Sequence, residues 1–279
     1  MSDGDSRVVL VTGAGGGIGR AVALAFADRG WTVYATDVET PLPAVVRERC
    51  RTRRLDVTDT EQCRTVVDDV VTEAGRIDCL VNNAGYAALG AVEDLPVATA
   101  REQFDVLVHG PHALARAALP QMRTQDAGRI VTVSSVLALS AYPGTGVYSA
   151  GKAAVESLTD ALRQELHDTP GVTATLVEPA WVDSGFARRA AASLADRDRT
   201  GAYERTYQGL EAGWVIDGGP LAARPEAVAA AVVEAATADR PQARYPVGRF
   251  ARFVRWTHVL PASVVDRIKR VYGRVTAWL

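Results

Sequence analysis

The sequence predicts an α/β fold, with one doubly wound parallel sheet of about seven strands and helices on both of its faces. Short runs of β-branched residues alternate with longer amphipathic segments along most of the 279 residues, as in proteins built from repeated strand–helix units. A glycine-rich turn joins the first expected strand to the first expected helix. No repeat, low-complexity tract or linker divides the chain, so we expect one domain over residues 1–279.

The expected elements follow one another in a regular order. Strands are expected at residues 8–11, 32–36, 51–55, 78–81, 129–133, 173–177 and 244–247. Helices are expected at about 17–29, from the capping-box sequence at 58–61 to about 73, at about 98–123 with a bend near Pro111, and at about 147–167. A further helix is expected to begin at Arg224-Pro225-Glu226, because proline is favoured at the first helical position.

The overall composition excludes several classes of protein. The chain is 48% hydrophobic and 23% charged, and its net charge of −2 gives no general attraction to nucleic acid, so we expect none as a partner. Its three cysteines form no Cys-x-x-Cys motif, which favours a reducing compartment without a disulfide framework. Residues 1–6 are acidic and polar, unlike a signal peptide, and no long apolar run follows. We therefore expect a cytoplasmic protein.

One Tyr–Lys pair predicts acid–base chemistry. Only two of the 31 Lys+Arg residues are lysines, Lys152 and Lys269. Lys152 follows Tyr148 by four residues, a spacing that places both side chains on one face of a helix. A neighbouring ammonium favours the phenolate and lowers the pKa of a tyrosine, as a general acid or base requires, and the wide fork of arginine is a poor substitute. The alternative is an ordinary Tyr–Lys contact on a surface helix.

The glycine-rich turn predicts a phosphate-binding site. It contains Gly13, Gly15, Gly17, Ile18 and Gly19, directly after an expected strand and at the start of an expected helix. Glycines let the backbone approach a pyrophosphate closely, and the N-terminus of a helix offers unpaired N–H groups. The alternative is a tight turn that binds nothing.

Two carboxylates follow the next strands and indicate the kind of nucleotide. Asp37 ends the second expected strand, near the position from which a carboxylate binds ribose hydroxyls. A carboxylate repels a 2′-phosphate, and neither Gly16 nor Val38 supplies a cation to receive one, so we expect NAD rather than NADP. Asp56 follows the third expected strand, where it could accept a hydrogen bond from adenine or simply start the next turn.

These motifs together resemble the short-chain dehydrogenase/reductase family, and the resemblance covers about residues 7–185. The family's cofactor turn is matched by residues 12–19, its adenine-side pair by Asp56-Val57, its sheet-stabilising motif by Asn-Asn-Ala-Gly at residues 82–85, its active site by Tyr148-x-x-x-Lys152, its serine by Ser135, and its nicotinamide-contacting stretch by residues 179–184. The resemblance implies a Rossmann-type sheet that binds a nicotinamide cofactor.

The resemblance also implies roles for individual residues. Tyr148 would exchange a proton with the substrate oxygen, Ser135 would hydrogen-bond that oxygen, and Lys152 would lower the pKa of Tyr148 and bind the nicotinamide ribose. The implied cofactor-binding residues are Gly13, Gly15, Gly17, Ile18, Gly19, Asp37, Asp56, Val57, Asn83, Ala84, Gly85, Tyr148, Lys152, Pro179, Val182 and Ser184. The implied activity is hydride transfer between NAD(P) and a small secondary alcohol or ketone, in a homo-oligomer (a dimer or tetramer).

Two positions depart from the family pattern. Leu107 stands where the family carries an asparagine that supports a water molecule in a proton relay, and Ala180 replaces a glycine. Leu107 keeps two other functions open: an NAD(H)-binding sensor or scaffold with weak chemistry, or non-redox chemistry on the same fold. His109 points elsewhere on a helix, and we expect it to be a partly buried structural histidine. His109 and His112 lack a third ligand, so no metal is expected.

Two further segments, residues 184–219 and the tail at 249–279, have expected roles outside the sheet and its helices. Residues 184–219 lose the regular pattern and are expected to form a substrate lid. Aromatic residues in this segment or just before it could contact a lipophilic substrate: Trp181, Phe186, Tyr203, Tyr207 and Trp214. Five arginines of the segment could bind an anionic group or face solvent: Arg188, Arg189, Arg197, Arg199 and Arg205. The basic, aromatic tail at 249–279 is expected to pack on the domain or on a partner subunit, and the alternative is peripheral contact with a membrane.

Overall fold

The computed structural model describes residues 6–169, 171–195, 198–213, 219, 222–257, 261, 263–267 and 269. Seven parallel strands form one sheet in the order β3-β2-β1-β4-β5-β6-β7. The strands are β1 (Val8–Thr12), β2 (Thr32–Asp37), β3 (Arg51–Arg54), β4 (Cys79–Asn82), β5 (Gly128–Val133), β6 (Val172–Pro179) and β7 (Arg244–Val247). The predicted fold class is therefore confirmed, with each expected strand in place.

Helices α1 to α10 connect or follow these strands. They are α1 (Gly17–Ala27), α2 (Ala44–Arg47), α3 (Thr60–Ala74), α4 (Val97–Phe104), α5 (Gly110–Thr124), α6 (Gly146–Glu165), α7 (Phe186–Ala192), α8 (Glu204–Glu211), α9 (Pro225–Thr237) and α10 (Arg249–Thr257). The sequence pattern did not predict the single turn of α2, because four residues are too few to show a helical period.

The alternation of side chains along the strands separates two apolar cores. On β1, Val9 and Val11 pack with α1 and α9 on one face of the sheet. Val8 and Leu10 pack with α3 and α5 on the other face. Because successive strand residues point to opposite faces, an uninterrupted apolar run such as this one requires helices on both sides of the sheet.

The start of α3 lies one residue later than the capping-box prediction. Asp59 caps the helix by accepting hydrogen bonds from the N–H groups of Glu61 and Gln62. The hydroxyl of Thr58 donates to Asp56 at 2.7 Å, and Asp59 is the N-cap residue. The helix ends at Gly75, whose φ of 73° lies in the left-handed region that favours glycine.

The helix expected at 98–123 is divided into α4, one wide π-helical turn at Asp105–His109, and α5. Pro111, in the first turn of α5, has no N–H to donate to the carbonyl four residues earlier. Across the wide turn, Gly110 donates its N–H to the carbonyl of Asp105, five residues back. The predicted bend near Pro111 therefore takes the form of a π-helical turn, and Leu107 lies within it.

The segment from 184 to 219 is more regular than its sequence pattern suggested. It contains α7 and α8, with a short 3₁₀ turn at Gly201–Tyr203 before α8. Trp214 and Arg197 lie outside the described residues. Of the tail, α10 and parts of residues 261–269 are described.

Two further observations bear on the expected surroundings. All three cysteines are free thiols. Among the helices that the structure describes, none combines the length and the apolar character needed to cross a bilayer.

Candidate active site

A cleft of about 820 Å³ opens at the carboxyl ends of the strands. Parallel α/β sheets bind their ligands at this edge, because the loops that follow the strands converge there. The cleft is lined by all three predicted catalytic residues and by every predicted cofactor-binding residue except Gly19, which leaves the set Gly13, Gly15, Gly17, Ile18, Asp37, Asp56, Val57, Asn83, Ala84, Gly85, Ser135, Tyr148, Lys152, Pro179, Val182 and Ser184. The fold thus gathers residues from across the predicted motifs at one site.

The glycine turn is built for close approach of the backbone. Gly13 has a φ of +68°, and a Cβ atom there would lie 2.9 Å from the Cα of Ala84. Gly19 is not among the residues that line the cleft, and a Cβ atom there would lie 2.0 Å from the carbonyl oxygen of Gly13, so glycine lets α1 pack against the turn. No side chain caps the N-terminus of α1 at Gly16. The first N–H groups of this helix therefore have no side-chain cap, and Gly17 and Ile18 at this end line the cleft, as a pyrophosphate site requires.

Asn83 fixes the position of this turn relative to β4. Its amide donates to the carbonyls of Thr12 and Gly13 at 2.9 and 3.2 Å. The hydroxyl of Thr12 accepts from the N–H groups of Asn83 and Ala84, each at 3.0 Å. These hydrogen bonds join the ends of β1 and β4, which agrees with the sheet-stabilising role that the family resemblance implied for this motif.

The carboxylate of Asp37 lies against the glycine turn. One oxygen accepts from the N–H of Gly15 at 2.8 Å, and the other accepts from the N–H of Glu39 at 3.1 Å. Lys152 and Arg189, on α6 and α7, are the only cations among the described residues that line the cleft, whereas Asp37, Glu39 and Asp56 line it at or after the ends of β2 and β3. The end of the cleft near Asp37 is therefore acidic and suited to ribose hydroxyls.

Asp56 starts a turn, which was one of its two predicted roles. One carboxylate oxygen accepts from both the N–H and the hydroxyl of Thr58. The residue also lines the cleft, next to Val57. Its position is therefore compatible with the second role, contact with adenine, as well.

Tyr148 and Lys152 lie on the first turns of α6, and both are buried. The Lys152 ammonium donates to the carbonyl of Val133 at 2.8 Å and lies 5.9 Å from the centre of the Tyr148 ring. Ser135 follows β5 and accepts the N–H of Leu137 at 3.2 Å. A surface Tyr–Lys contact, the alternative from the sequence, is thereby excluded.

The proton affinities of these groups follow from burial. Burial raises the pKa of Tyr148 above its ordinary value, and a hydrogen bond from Ser135 opposes this effect. Burial also lowers the pKa of Lys152 to about 8, against the attraction of Glu156. The direction for Tyr148 is opposite to the one expected from its lysine neighbour, because desolvation of the phenolate is the largest effect on its pKa and the Lys152 ammonium lies 5.9 Å from the centre of the ring.

Leu107 is buried beside these residues. Its methyl groups lie 3.0 Å from where Cβ atoms on Gly85 and Gly151 would be, so it is packed between two glycines. Leucine at this position is therefore accommodated by the absence of two neighbouring side chains. His109 is exposed and pairs with Asp105 at 2.8 Å, which corrects the expectation that it is partly buried.

The other end of the cleft is aromatic. Phe186 lies 5.6 Å from Tyr148 between ring centres, and Trp181 stacks on Phe250 at 4.2 Å. Two tyrosines expected near the substrate have other contacts: Tyr207 is fully buried and donates to Asp94, and Tyr203 donates to Glu93. Arg189 lines the cleft, whereas Arg199 pairs with Glu211 at 2.7 Å.

Behind the site lies an ionic cluster that the sequence did not reveal. Ser134 donates to buried Glu156 at 2.6 Å, and Arg244 donates to Glu156 at 2.6 Å and also to Glu178 and Asp160. Burial raises the pKa of Glu156, and the hydrogen bonds from Ser134 and Arg244 oppose that rise. No local motif marks this cluster, because its members come from strands and helices far apart in sequence.

Comparison with known proteins agrees with this geometry. The family model described as short chain dehydrogenase matches residues 7–194. The chain is 33% identical over 180 residues to a 3-ketodihydrosphingosine reductase of Bacteroides thetaiotaomicron, and the match spans 64% of this chain and 65% of that protein, a little under two thirds of its length.

Two solved structures are similar over almost the whole chain. A short-chain dehydrogenase from Streptomyces avermitilis has a TM-score of 0.80 and 30% identity, and the match covers 99% of each chain. A short-chain dehydrogenase/reductase from Burkholderia phymatum in complex with NAD has a TM-score of 0.76 and 30% identity, over 92% of this chain and 95% of that one.

Proposed function

Because this chain belongs to the short-chain dehydrogenase/reductase family of oxidoreductases, we propose that it interconverts a secondary alcohol and a ketone with NAD(H). The observation that carries the proposal is the presence of Ser135, Tyr148 and Lys152 on the wall of one cleft whose other end is an uncapped glycine turn beside Asp37. The residues present fit a dinucleotide, since N–H groups at the start of α1 suit its phosphates and Asp37 suits a ribose.

In this proposal the protein positions and polarises the substrate. Bound NAD(H) supplies the hydride acceptor or donor. Tyr148 transfers the proton to or from the substrate oxygen, and Ser135 hydrogen-bonds the same oxygen. Because burial holds Tyr148 protonated, the resting enzyme is set to donate a proton to a carbonyl oxygen. Lys152, which donates to the Val133 carbonyl, would hold the nicotinamide ribose.

Support for a lipophilic substrate comes from the aromatic end of the cleft. Trp181, Phe186 and Phe250 offer rings there. The Bacteroides thetaiotaomicron relative is named as a reductase of a ketone, 3-ketodihydrosphingosine. We propose a lipophilic small molecule as the substrate.

Leu107 supports the second candidate, an NAD(H)-binding protein with weak chemistry. The residue fills the space between Gly85 and Gly151 with apolar atoms. A proton relay through this point would require a polar group. Turnover that stays far below that of ordinary enzymes, with tight cofactor binding, would favour this candidate.

The test of the proposal is a cofactor absorbance assay with a panel of secondary alcohols and ketones. We expect wild-type protein to turn over part of the panel, and Tyr148→Phe to lose turnover by about 10²–10⁴-fold, because general acid–base steps contribute that much. NADH affinity should change little, since only one oxygen is removed. Tyr86→Phe, the same deletion at another tyrosine of the cleft, is the control and should stay active. Equal activity of wild type and Tyr148→Phe would refute the role of Tyr148.

A further inference from the structure

Helix α10 forms part of the cleft wall. Phe250, in its first turn, lines the cleft together with Trp181, which follows β6. The two rings are stacked, with centres 4.2 Å apart and planes inclined by 24°. The next aromatic residue of the helix, Phe253, is 56% exposed and does not line the cleft. One helix thus carries one ring that lines the cleft and a second, exposed ring beside it, with the two ring centres 6.2 Å apart.

Two sets of contacts hold α10 in this position. Ala251 and Val254 are buried against Val136, in the short 3₁₀ turn that follows Ser135. Arg255 donates to the buried carboxylate of Glu178 on β6, at 3.2 Å. Glu178 also accepts from Arg244, so the helix is tied to the ionic cluster behind the active site. The ring of Phe250 is therefore held at a fixed place relative to the catalytic residues.

The surroundings of this ring pair decide which ligands it suits. Phe186 packs against Tyr148, and Leu137 and Tyr142 also line the cleft. The acidic residues that line the cleft, Asp37, Glu39 and Asp56, lie at or after the ends of β2 and β3, at the glycine-turn end. A stacked, apolar pair of rings attracts another flat ring more strongly than a saturated group of the same size.

We propose that Trp181 and Phe250 form a ring-binding shelf, and that the substrate carries a flat aromatic or conjugated ring that lies on Phe250. The inference rests on the proposed function for the identity of the reacting group, and it adds the class of substrate. The proposal also gives α10 a role in substrate specificity. The helix contributes Phe250 to the shelf, and Arg255 positions the helix.

Three ketones that share a methyl carbonyl group test the shelf: 4-phenyl-2-butanone, 4-cyclohexyl-2-butanone and 2-butanone. Their affinities are measured by calorimetry on the full chain saturated with NAD⁺, which cannot reduce a ketone. We expect the wild type to bind the phenyl compound roughly two- to tenfold more tightly than the cyclohexyl compound, as aromatic pairing predicts. In Phe250→Leu, which keeps apolar bulk, this preference should disappear.

The matched control is Phe253→Leu, the same change on the same helix at an exposed ring that does not line the cleft, although its centre lies 6.2 Å from that of Phe250. It should keep the phenyl preference. The shelf is overturned if the wild type shows no such preference, if Phe250→Leu retains it, or if Phe253→Leu loses it to the same degree. Thermal melting of each variant shows whether α10 stays folded, and Phe250→Tyr, which keeps an aromatic ring, should retain the preference.

The tether is tested through Arg255→Ala, with Arg252→Ala as the control at an exposed arginine of the same helix. Arg255→Ala should weaken the phenyl preference while kcat for 2-butanone changes less than about threefold. A merely structural role would lower the melting temperature and leave the preference intact, which would refute the positioning role of Arg255.

Binding and turnover separate the two proposals. If the phenyl preference depends on Phe250 but no ketone or alcohol is turned over, the proposed redox function fails and the shelf stands. If ketones are turned over without a phenyl preference in binding, the function stands and the shelf fails.

Discussion

At the scale of single residues, burial determines the proton affinities of the groups that the proposed reaction uses. The same desolvation raises the pKa of Tyr148 and lowers that of Lys152, because it disfavours whichever form is charged. Both effects arise from the same wall of the cleft, where α6 packs against the end of β5. The consequence is a site that keeps its phenol protonated and holds an ammonium close to its titration point at neutral to mildly basic pH.

The lowered pKa of Lys152 predicts how the stability of the protein changes with pH. Its pKa is about 8 in the folded protein and 10.5 in its ordinary state, so between these values the unfolded chain holds a proton that the folded chain has released. Stability therefore rises with pH across this window, and below pH 8 the rise is absent. Relative to Lys152→Met, the free energy of unfolding of the wild type should increase by about 1–2 kcal/mol from pH 7.5 to 9.5 in urea denaturation. No relative change would mean that Lys152 stays charged when buried.

The carboxylate of Asp37 beside the glycine turn predicts which cofactor the protein prefers. The wild type should have a higher kcat/KM with NADH than with NADPH, because the carboxylate at the glycine turn repels a 2′-phosphate. Asp37→Ala should reduce the ratio of kcat/KM with NADH to kcat/KM with NADPH at least about tenfold, because loss of one like-charge repulsion of about 1.4 kcal/mol has that effect. Asp37→Asn keeps an oxygen for the Gly15 N–H and removes only the charge, so it should narrow the ratio as well. Faster turnover of the wild type with NADPH would show that Asp37 does not select the cofactor.

The apolar packing of Leu107 predicts that proton exchange with solvent does not pass through this position. If a relay ran through this position, Leu107→Asn would raise the rate, most clearly at low pH. The packing of Leu107 between Gly85 and Gly151 instead favours a pocket adapted to leucine. We expect Leu107→Asn to lose about 1–3 kcal/mol of stability, as a buried polar group without partners does, and to be no faster between pH 6 and 9. Leu107→Met is the apolar control, and a faster asparagine variant would contradict this view.

At the scale of elements, four pieces of the fold are joined behind the site by charge. Glu156 and Asp160 come from α6, Glu178 from β6, Arg244 from β7 and Arg255 from α10. Two of these carboxylates, those of Glu156 and Glu178, are almost fully buried. Buried carboxylates need partners, so Arg244 fixes the relative position of the last two strands and α6. The helix that carries Tyr148 and Lys152 is held by the same contacts.

Arg244 is therefore expected to contribute far more to the free energy of unfolding than an ordinary arginine near the surface. Arg244→Met should lower the free energy of unfolding by about 3 kcal/mol, because it leaves buried carboxylates without a partner. Arg240→Met, at an exposed arginine four residues earlier, should stay within about 0.5 kcal/mol of the wild type. Chemical denaturation measures both variants, and equal stability of the two would show that the cluster contributes little.

At the scale of the whole molecule, the strand order brings the site together. The chain builds β1, β2 and β3 outward in one direction and then returns to place β4 beside the other edge of β1. The chain after β1 and after β4 consequently leads to helices on opposite faces of the sheet, and a crevice opens where the two connections begin. The glycine turn after β1 and the Asn83 motif after β4 meet at this point, and the proposed catalytic residues lie just after β5 and on α6.

By resemblance to its family, we expect the chain to form a homo-oligomer through α4, α5 and α6. Sedimentation at micromolar concentration should show a species larger than the 29.7 kDa chain. Ser157→Arg, at an exposed position of α6, should shift it toward the monomer, because a charge in the centre of a helix interface is costly. Asp239→Arg, an exposed residue after α9, is the control. A stable, active wild-type monomer would contradict this expectation.

Local signals were enough to predict much of the fold and part of the site. The apolar runs of the strands, the glycine turn and the Tyr148–Lys152 spacing each extend over fewer than about 20 residues, and each predicts its structure without knowledge of the rest of the chain. Asp37 belongs to the same class, since its place at the end of a strand is visible in the sequence. The α/β architecture, the cofactor end of the cleft and the candidate catalytic residues were accessible for this reason.

Only the tertiary structure decided the properties that depend on residues distant in sequence. The raised pKa of Tyr148 depends on its burial, and the packing of Leu107 depends on two glycines from other segments. The stacking of Phe250 on Trp181 joins the tail to the loop after β6. A sequence pattern records which residues are apolar or charged, whereas desolvation and contact depend on what surrounds each side chain in space, so the fold alone determines them.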